Sequence, residues 1–195
     1  MRLFVAVDVS DEVRAYAEAA RRAVCRRMPR LERELRWVDV RQMHVTLRFL
    51  GEVDEANADR FRLALEAPLP QPPFLIEPAE PHWLPDVKRP RVFVLGFRQG
   101  ADGLRALYDT VEDRVRATLP MIEPEDRVFL PHLTLARVRD PRLMRTVPAT
   151  DAAPGHHDEP RPTARIDRVT LYQSHLSPKG PTYVALARGM LTGAA

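Results

Sequence analysis

At 195 residues the chain is long enough to bury a core and short enough for one domain or two small lobes. Hydrophobic residues make up 45% and charged residues 29%, an ordinary globular balance, and a net charge of +3 excludes a polycationic coat for nucleic acid. Cys25 is the sole cysteine, which excludes an intrachain disulfide, and no apolar run reaches the roughly 18 residues of a membrane span, so a cytoplasmic protein is expected. Positive charge is almost all arginine, since Lys88 and Lys179 are the only lysines. Arginine is the better bidentate phosphate ligand, although most of these positions suit a solvated surface equally well.

Leu3 to Val7 reads as a buried strand, and Ser10-Asp11-Glu12 as the cap and acidic first turn of a helix. Val13, Tyr16, Ala17, Ala20 and Val24 then recur at helical spacing up to Pro29. Leu35 to Val40 is a short strand with Trp37. A further strand runs from Met43 to Leu50 and stops at Gly51, after which Asp54 opens a helix bearing Ala58, Phe61 and Leu65. Pro68 to Pro73 reads as a hinge, Phe74-Leu75-Ile76 starts a strand, and Val92 to Phe97 is a central strand. Leu104, Leu107, Tyr108, Val111, Val115 and Leu119 mark a helix ended by Pro120, followed by a strand over Val128 to Val138. Residues 140–164, rich in proline, read as a long loop, and Val169–Tyr172 and Tyr183–Leu186 as a hairpin turning at Ser177–Pro181.

Each half thus reads strand, helix, strand, if an extra strand is allowed before the helix of the second, a weak internal repeat. The expectation is a single α+β domain over 1–195, bilobal and pseudo-twofold, with two antiparallel or mixed sheets flanked by helices and a cleft between the lobes. Lobe one would cover about 1–67, lobe two about 74–164, and a C-terminal hairpin 165–188.

The last strand of each half carries the same local sequence, Met43-His44-Val45-Thr46-Leu47 and Pro131-His132-Leu133-Thr134-Leu135. Side chains alternate faces along a strand, so each His and the Thr two residues on point the same way while Val45, Leu47, Leu133 and Leu135 face a core. One such His could be a hydrogen-bonded bystander, but a matched pair with matched hydroxyls is hard to derive from packing. Imidazole titrates near neutrality, so one ring can act as base while the other acts as acid. Displacement at phosphorus uses both, with Thr46 and Thr134 donating to non-bridging oxygens. The repeated partner is Thr, a poor zinc ligand, and no nucleophile elbow or phosphate-binding glycine loop appears, so neither metal nor cofactor is expected. His82 in a proline-flanked turn, the loop residues His156 and His157, and His175 near the hairpin turn read as structural or solvated.

These paired motifs resemble the two-histidine phosphoesterase superfamily, and more narrowly its RNA 2′,3′-cyclic phosphodiesterases, historically called bacterial 2′-5′ RNA ligases. Arg2-Leu3-Phe4-Val5-Ala6, Arg36-Trp37-Val38, Phe49-Leu50-Gly51-Glu52-Val53, Arg89-Pro90-Arg91-Val92, the run from Phe129 to Arg137 and Leu171-Tyr172-Gln173-Ser174 share in the likeness, which covers about 1–138 and 165–187. The resemblance implies hydrolysis of a terminal ribose 2′,3′-cyclic phosphate to a 2′-phosphate, with His44 as acid toward O3′ and His132 as base toward water. It also implies a functional Arg137. Strand parity opposes that residue, because an odd offset from His132 turns it to the other face unless the strand bulges. Substrates would be RNA ends or nucleoside 2′,3′-cyclic phosphates, taken by a monomer with no membrane partner. Two alternatives stand beside hydrolysis: ATP-independent 2′-5′ ligation at the same site, and a non-catalytic RNA-end binder.

Overall fold

The computed structural model describes residues 1–140, 160–178 and 180–194. Two antiparallel sheets hold the chain together. The first has strand order β3-β1-β8-β9, formed by β1 (Arg2–Asp8), β3 (His44–Glu52), β8 (Arg168–Ser177) and β9 (Gly180–Met190). The second has order β2-β6-β5-β4-β7, formed by β2 (Leu35–Trp37), β4 (Phe74–Leu84), β5 (Val92–Gln99), β6 (Leu133–Val138) and β7 (Ala164–Ile166). With the helices α1 (Asp11–Arg27), α2 (Leu31–Glu34), α3 (Glu55–Glu66) and α4 (Ala101–Thr118), this is the expected α+β class.

The local causes are legible. Ser10 caps α1 by accepting from the Val13 N–H, and Asp54 caps α3 by accepting from the Asn57 N–H at 2.9 Å. β1 buries every residue from Leu3 to Val7, so it is a central strand covered on both faces. α4 buries Leu104, Leu107, Val111 and Val115 completely and packs on β3 and α3. Each such aliphatic side chain contributes roughly 1.5–3 kcal/mol on burial. Among the described residues no helix is long and apolar enough to cross a membrane.

Several strands differ from the sequence reading. β4 runs eleven residues, through Pro78 and Pro81, so His82 and Trp83 lie in a strand and not in a turn. The prolines withhold two N–H donors, and the ladder to β5 slips at both. β6 begins only at Leu133, so the strand expected from Val128 lacks its first five residues and His132 stands just before it. The Pro68–Pro73 connector is fastened and not a free hinge: Leu69 is fully buried and exchanges backbone hydrogen bonds with Met190 and Thr192. The hairpin is longer than expected, and β8 and β9 both reach into the turn residues named for it. The loop read over 140–164 lies mostly outside the described residues, as do His156 and His157. Chain order and sheet membership also part company, since β2 joins the second sheet and β8 and β9 join the first.

Candidate active site

Both histidines are held by one device. His44 Nδ1 meets the Gln42 carbonyl at 2.7 Å, and His132 Nδ1 meets the Leu130 carbonyl at 2.7 Å. A carbonyl only accepts, so Nδ1 carries the proton and Nε2 of the neutral ring holds the free lone pair. Two residues on, Thr46 and Thr134 are half-buried, while the residues between them and the histidines, Val45 and Leu133, are fully buried. Alternation along the strands therefore holds to this point.

It then breaks, in both strands, at the same offset. Ala6 pairs with Thr46 and Val5 with Arg48, so Leu47 is the extra residue of a bulge. Val94 pairs with Thr134 and Phe93 with Ala136, so Leu135 is the extra residue of another. Consecutive burial follows: Leu47 and Arg48 both point inward, as do Leu135 and Ala136. The next residue of each strand, Phe49 and Arg137, is thereby returned to the face of the Thr. Parity alone opposed Arg137, and the bulge reverses that objection.

A cavity of about 670 Å³ takes its lining from both sheets. His44, Thr46 and Phe49 contribute from β3, Thr134 and Arg137 from β6, Arg36 and Trp37 from β2, and Tyr183 from β9. Four of the five sequence-chosen residues are thus brought together. His132 does not line this cavity; it is half-buried, and the Arg137 charge opposes its protonation, as does His82. The Arg137 charge also opposes protonation of His44, so one guanidinium acts on both imidazoles.

The two rings differ in their surroundings. His44 stacks on Phe4 with centroids 4.9 Å apart and takes the edge of Tyr183 at 5.3 Å. Its β1 partner is Asp8, which accepts from Thr170 Oγ1 at 2.9 Å and from the Tyr172 hydroxyl at 2.6 Å. Burial, first, pushes the imidazole of His44 below the ordinary range, while the hydrogen bond to Gln42 and the Asp8 charge pull it back. Burial also lowers His132; its hydrogen bond to Leu130 opposes this, but no carboxylate does. Burial and the Asp8 contact raise the Tyr172 phenol, so it stays protonated as a donor.

Asp8, Tyr172, Tyr183 and Arg36 were missed as site residues in the sequence. A carboxylate at the end of an otherwise apolar strand was the available signal for Asp8. Among the described residues no three His, Cys, Asp or Glu side chains gather as metal ligands.

Known proteins resemble this chain over nearly its whole length. The family model described as the 2′-5′ RNA ligase superfamily matches residues 9–178. A Thermus thermophilus RNA 2′,3′-cyclic phosphodiesterase is 33% identical over 199 residues, covering 99% of this chain and 91% of that one. An Aquifex aeolicus protein of the same name is 28% identical over 200 residues, covering 99% and 98%. Among solved structures, TT0787 of Thermus thermophilus superposes with a TM-score of 0.78 at 28% identity over 100% of both chains. Escherichia coli LigT complexed with phosphate does so with a TM-score of 0.67 at 27% identity, over 98% of this chain and 97% of that one. Nearly complete coverage by relatives of one kind, on top of the twinned His-Thr strands, means that the chain belongs to the 2′-5′ RNA ligase superfamily, the two-histidine phosphoesterases.

Proposed function

We propose that this chain hydrolyses the 2′,3′-cyclic phosphate at an RNA end, leaving a 2′-phosphate, without a metal ion. The observation that carries the reading is the twinned setting of the imidazoles: the same carbonyl contact at 2.7 Å, the same hydroxyl two residues on, and one Arg137 charge acting on both. Names of the relatives point to the same substrate. His132 takes the proton of the attacking water through Nε2, and His44 gives a proton to the departing O3′. The unequal surroundings favour this order: the Asp8 charge helps His44 keep a proton, and no carboxylate does the same for His132. Thr46, Thr134 and Arg137 hold the non-bridging oxygens as charge builds on them. General acid and base help is worth about 10²–10⁴-fold per group, and each positioned donor on the order of 10²–10³-fold.

The enzyme works as a monomer in the cytoplasm in this reading. Ligation is the same displacement of O3′ with a 5′-hydroxyl in place of water as the attacking group. Incubating RNAs that end in a cyclic phosphate with RNAs bearing a 5′-hydroxyl separates the two by product length. Opened ends of unchanged length are expected, in chelator as well as without it. Products of summed length would establish ligation, and tight binding with no turnover would establish a binder.

A further inference from the structure

Arg36 and Arg137 are direct partners across the antiparallel β2–β6 pair, and both line the cavity. Cross-strand partners project from one face with Cβ atoms about 5 Å apart, where like charges repel. Some arginines elsewhere are matched with carboxylates, as in Arg41 with Asp39, Arg62 with Glu66 and Arg105 with Asp102. Among the described residues, neither Arg36 nor Arg137 has such a partner. The Arg36 head lies at the β8–β9 turn, its Nη2 being 3.9 Å from where a Cβ on Gly180 would stand. Tyr183 on β9 faces both guanidinium charges.

The facing charges of Arg36 and Arg137 already exceed what one cyclic phosphodiester neutralises, because that group carries a single negative charge. Arg137 shares its strand face with Thr134 and so belongs to the reacting phosphate. Arg36 stands one strand further out, on the edge strand of the sheet. We propose that Arg36 holds a second phosphate, the internucleotide diester next to the cyclic end, so that the site prefers an RNA oligonucleotide end to a single nucleotide. This rests on the cyclic-phosphate reading above and adds a subsite to it. A guanidinium on an edge strand reaches the neighbouring phosphate of an extended chain without disturbing the first, and repulsion between the arginines is relieved only when both phosphates are present.

Binding measured in a His44→Ala/His132→Ala background separates the subsite from turnover. The ligands are adenosine 2′,3′-cyclic phosphate and the adenylyl dinucleotide ending in the same cyclic phosphate, titrated by calorimetry at several salt concentrations. Adding Arg36→Gln weakens the dinucleotide on the order of tenfold, as expected for a lost charge-assisted contact, and the mononucleotide much less. The slope of log affinity against log salt for the dinucleotide falls by about 0.7, the value for one phosphate on a single strand. Arg36→Lys keeps that slope. Equal weakening of both ligands, or an unchanged slope in Arg36→Gln, would overturn the proposal. Absence of turnover in the unaltered enzyme, with the dinucleotide preference intact, would remove hydrolysis and leave the subsite standing.

Discussion

Leu47 and Leu135 are one residue met twice: each is the extra member of a β-bulge, three positions after a histidine, in a different sheet. A bulge adds a residue to one strand and resets which face the following side chains occupy. In the first sheet it turns Arg48 into the core and Phe49 toward the cavity, and in the second it does the same with Ala136 and Arg137. The sequence repeat is therefore a repeat of backbone irregularity as well as of chemistry.

Arg137 tests that consequence. Arg137→Gln lowers kcat/KM for a nucleoside 2′,3′-cyclic phosphate by about 10²-fold, with most of the loss in kcat, because the contact strengthens as charge develops. Arg137→Lys recovers part of it, since the charge returns without the fork. Steady-state kinetics on the three proteins checks this; an unchanged kcat would mean that the side chain merely shares the cavity.

The hydroxyls make a matched prediction. Thr46→Val and Thr134→Val keep the shape of a β-branched strand residue and remove one donor each. Each change costs about 10²-fold in kcat/KM with the folded state preserved. Kinetics beside a thermal melt of each variant separates lost donation from lost structure.

Burial holds both imidazoles below the ordinary 6.5, so the kcat/KM profile of the free enzyme is bell-shaped with its optimum on the acid side of that value. Asp8 favours the protonated form of His44, so Asp8→Asn lowers that ring further, and the alkaline limb moves to lower pH. His82 disfavours the protonated form of His132, so His82→Gln raises that ring, and the acid limb moves to higher pH. Profiles of kcat/KM for the three proteins check both signs. Movement of the limbs in the reverse pattern would exchange the acid and base roles.

Arg48, sent inward by the first bulge, donates to Glu112 on α4 at 2.7 Å and to the Phe49 and Glu123 carbonyls. Both charged side chains are 6% exposed. Arg48→Leu leaves the buried Glu112 carboxylate with only Arg116, 3.6 Å away, and costs about 3–5 kcal/mol, while Arg48→Leu/Glu112→Leu recovers much of that. Urea unfolding of both variants measures the difference.

Much of this was legible in the sequence because periodicity and caps act locally. The His-Thr spacing, the helix ending at Pro120 and the caps at Ser10 and Asp54 each depend on a few neighbouring residues. What escaped depends on distant partners. Nothing near Leu135 announces that it lies opposite the gap between Phe93 and Val94, so parity alone could not place Arg137 and its orientation hung on a bulge. Arg36 faces Arg137 only because β2 pairs with β6, a pairing that nothing in the local sequence announces. His82 read as part of a proline-flanked turn, yet β4 carries it along with Pro78 and Pro81, because an irregular ladder spares the missing donors. Asp8 read as the end of an apolar run, and its hydroxyl partners lie on β8, far along the chain.

The most direct measurement is the position of the phosphate after complete turnover of a nucleoside 2′,3′-cyclic phosphate in chelator, read by phosphorus NMR for the unaltered chain, His44→Ala and His132→Ala. A proton given by His44 to O3′ predicts the nucleoside 2′-phosphate as the product and severe loss in both variants. A 3′-phosphate product, or full activity in either variant, would contradict it.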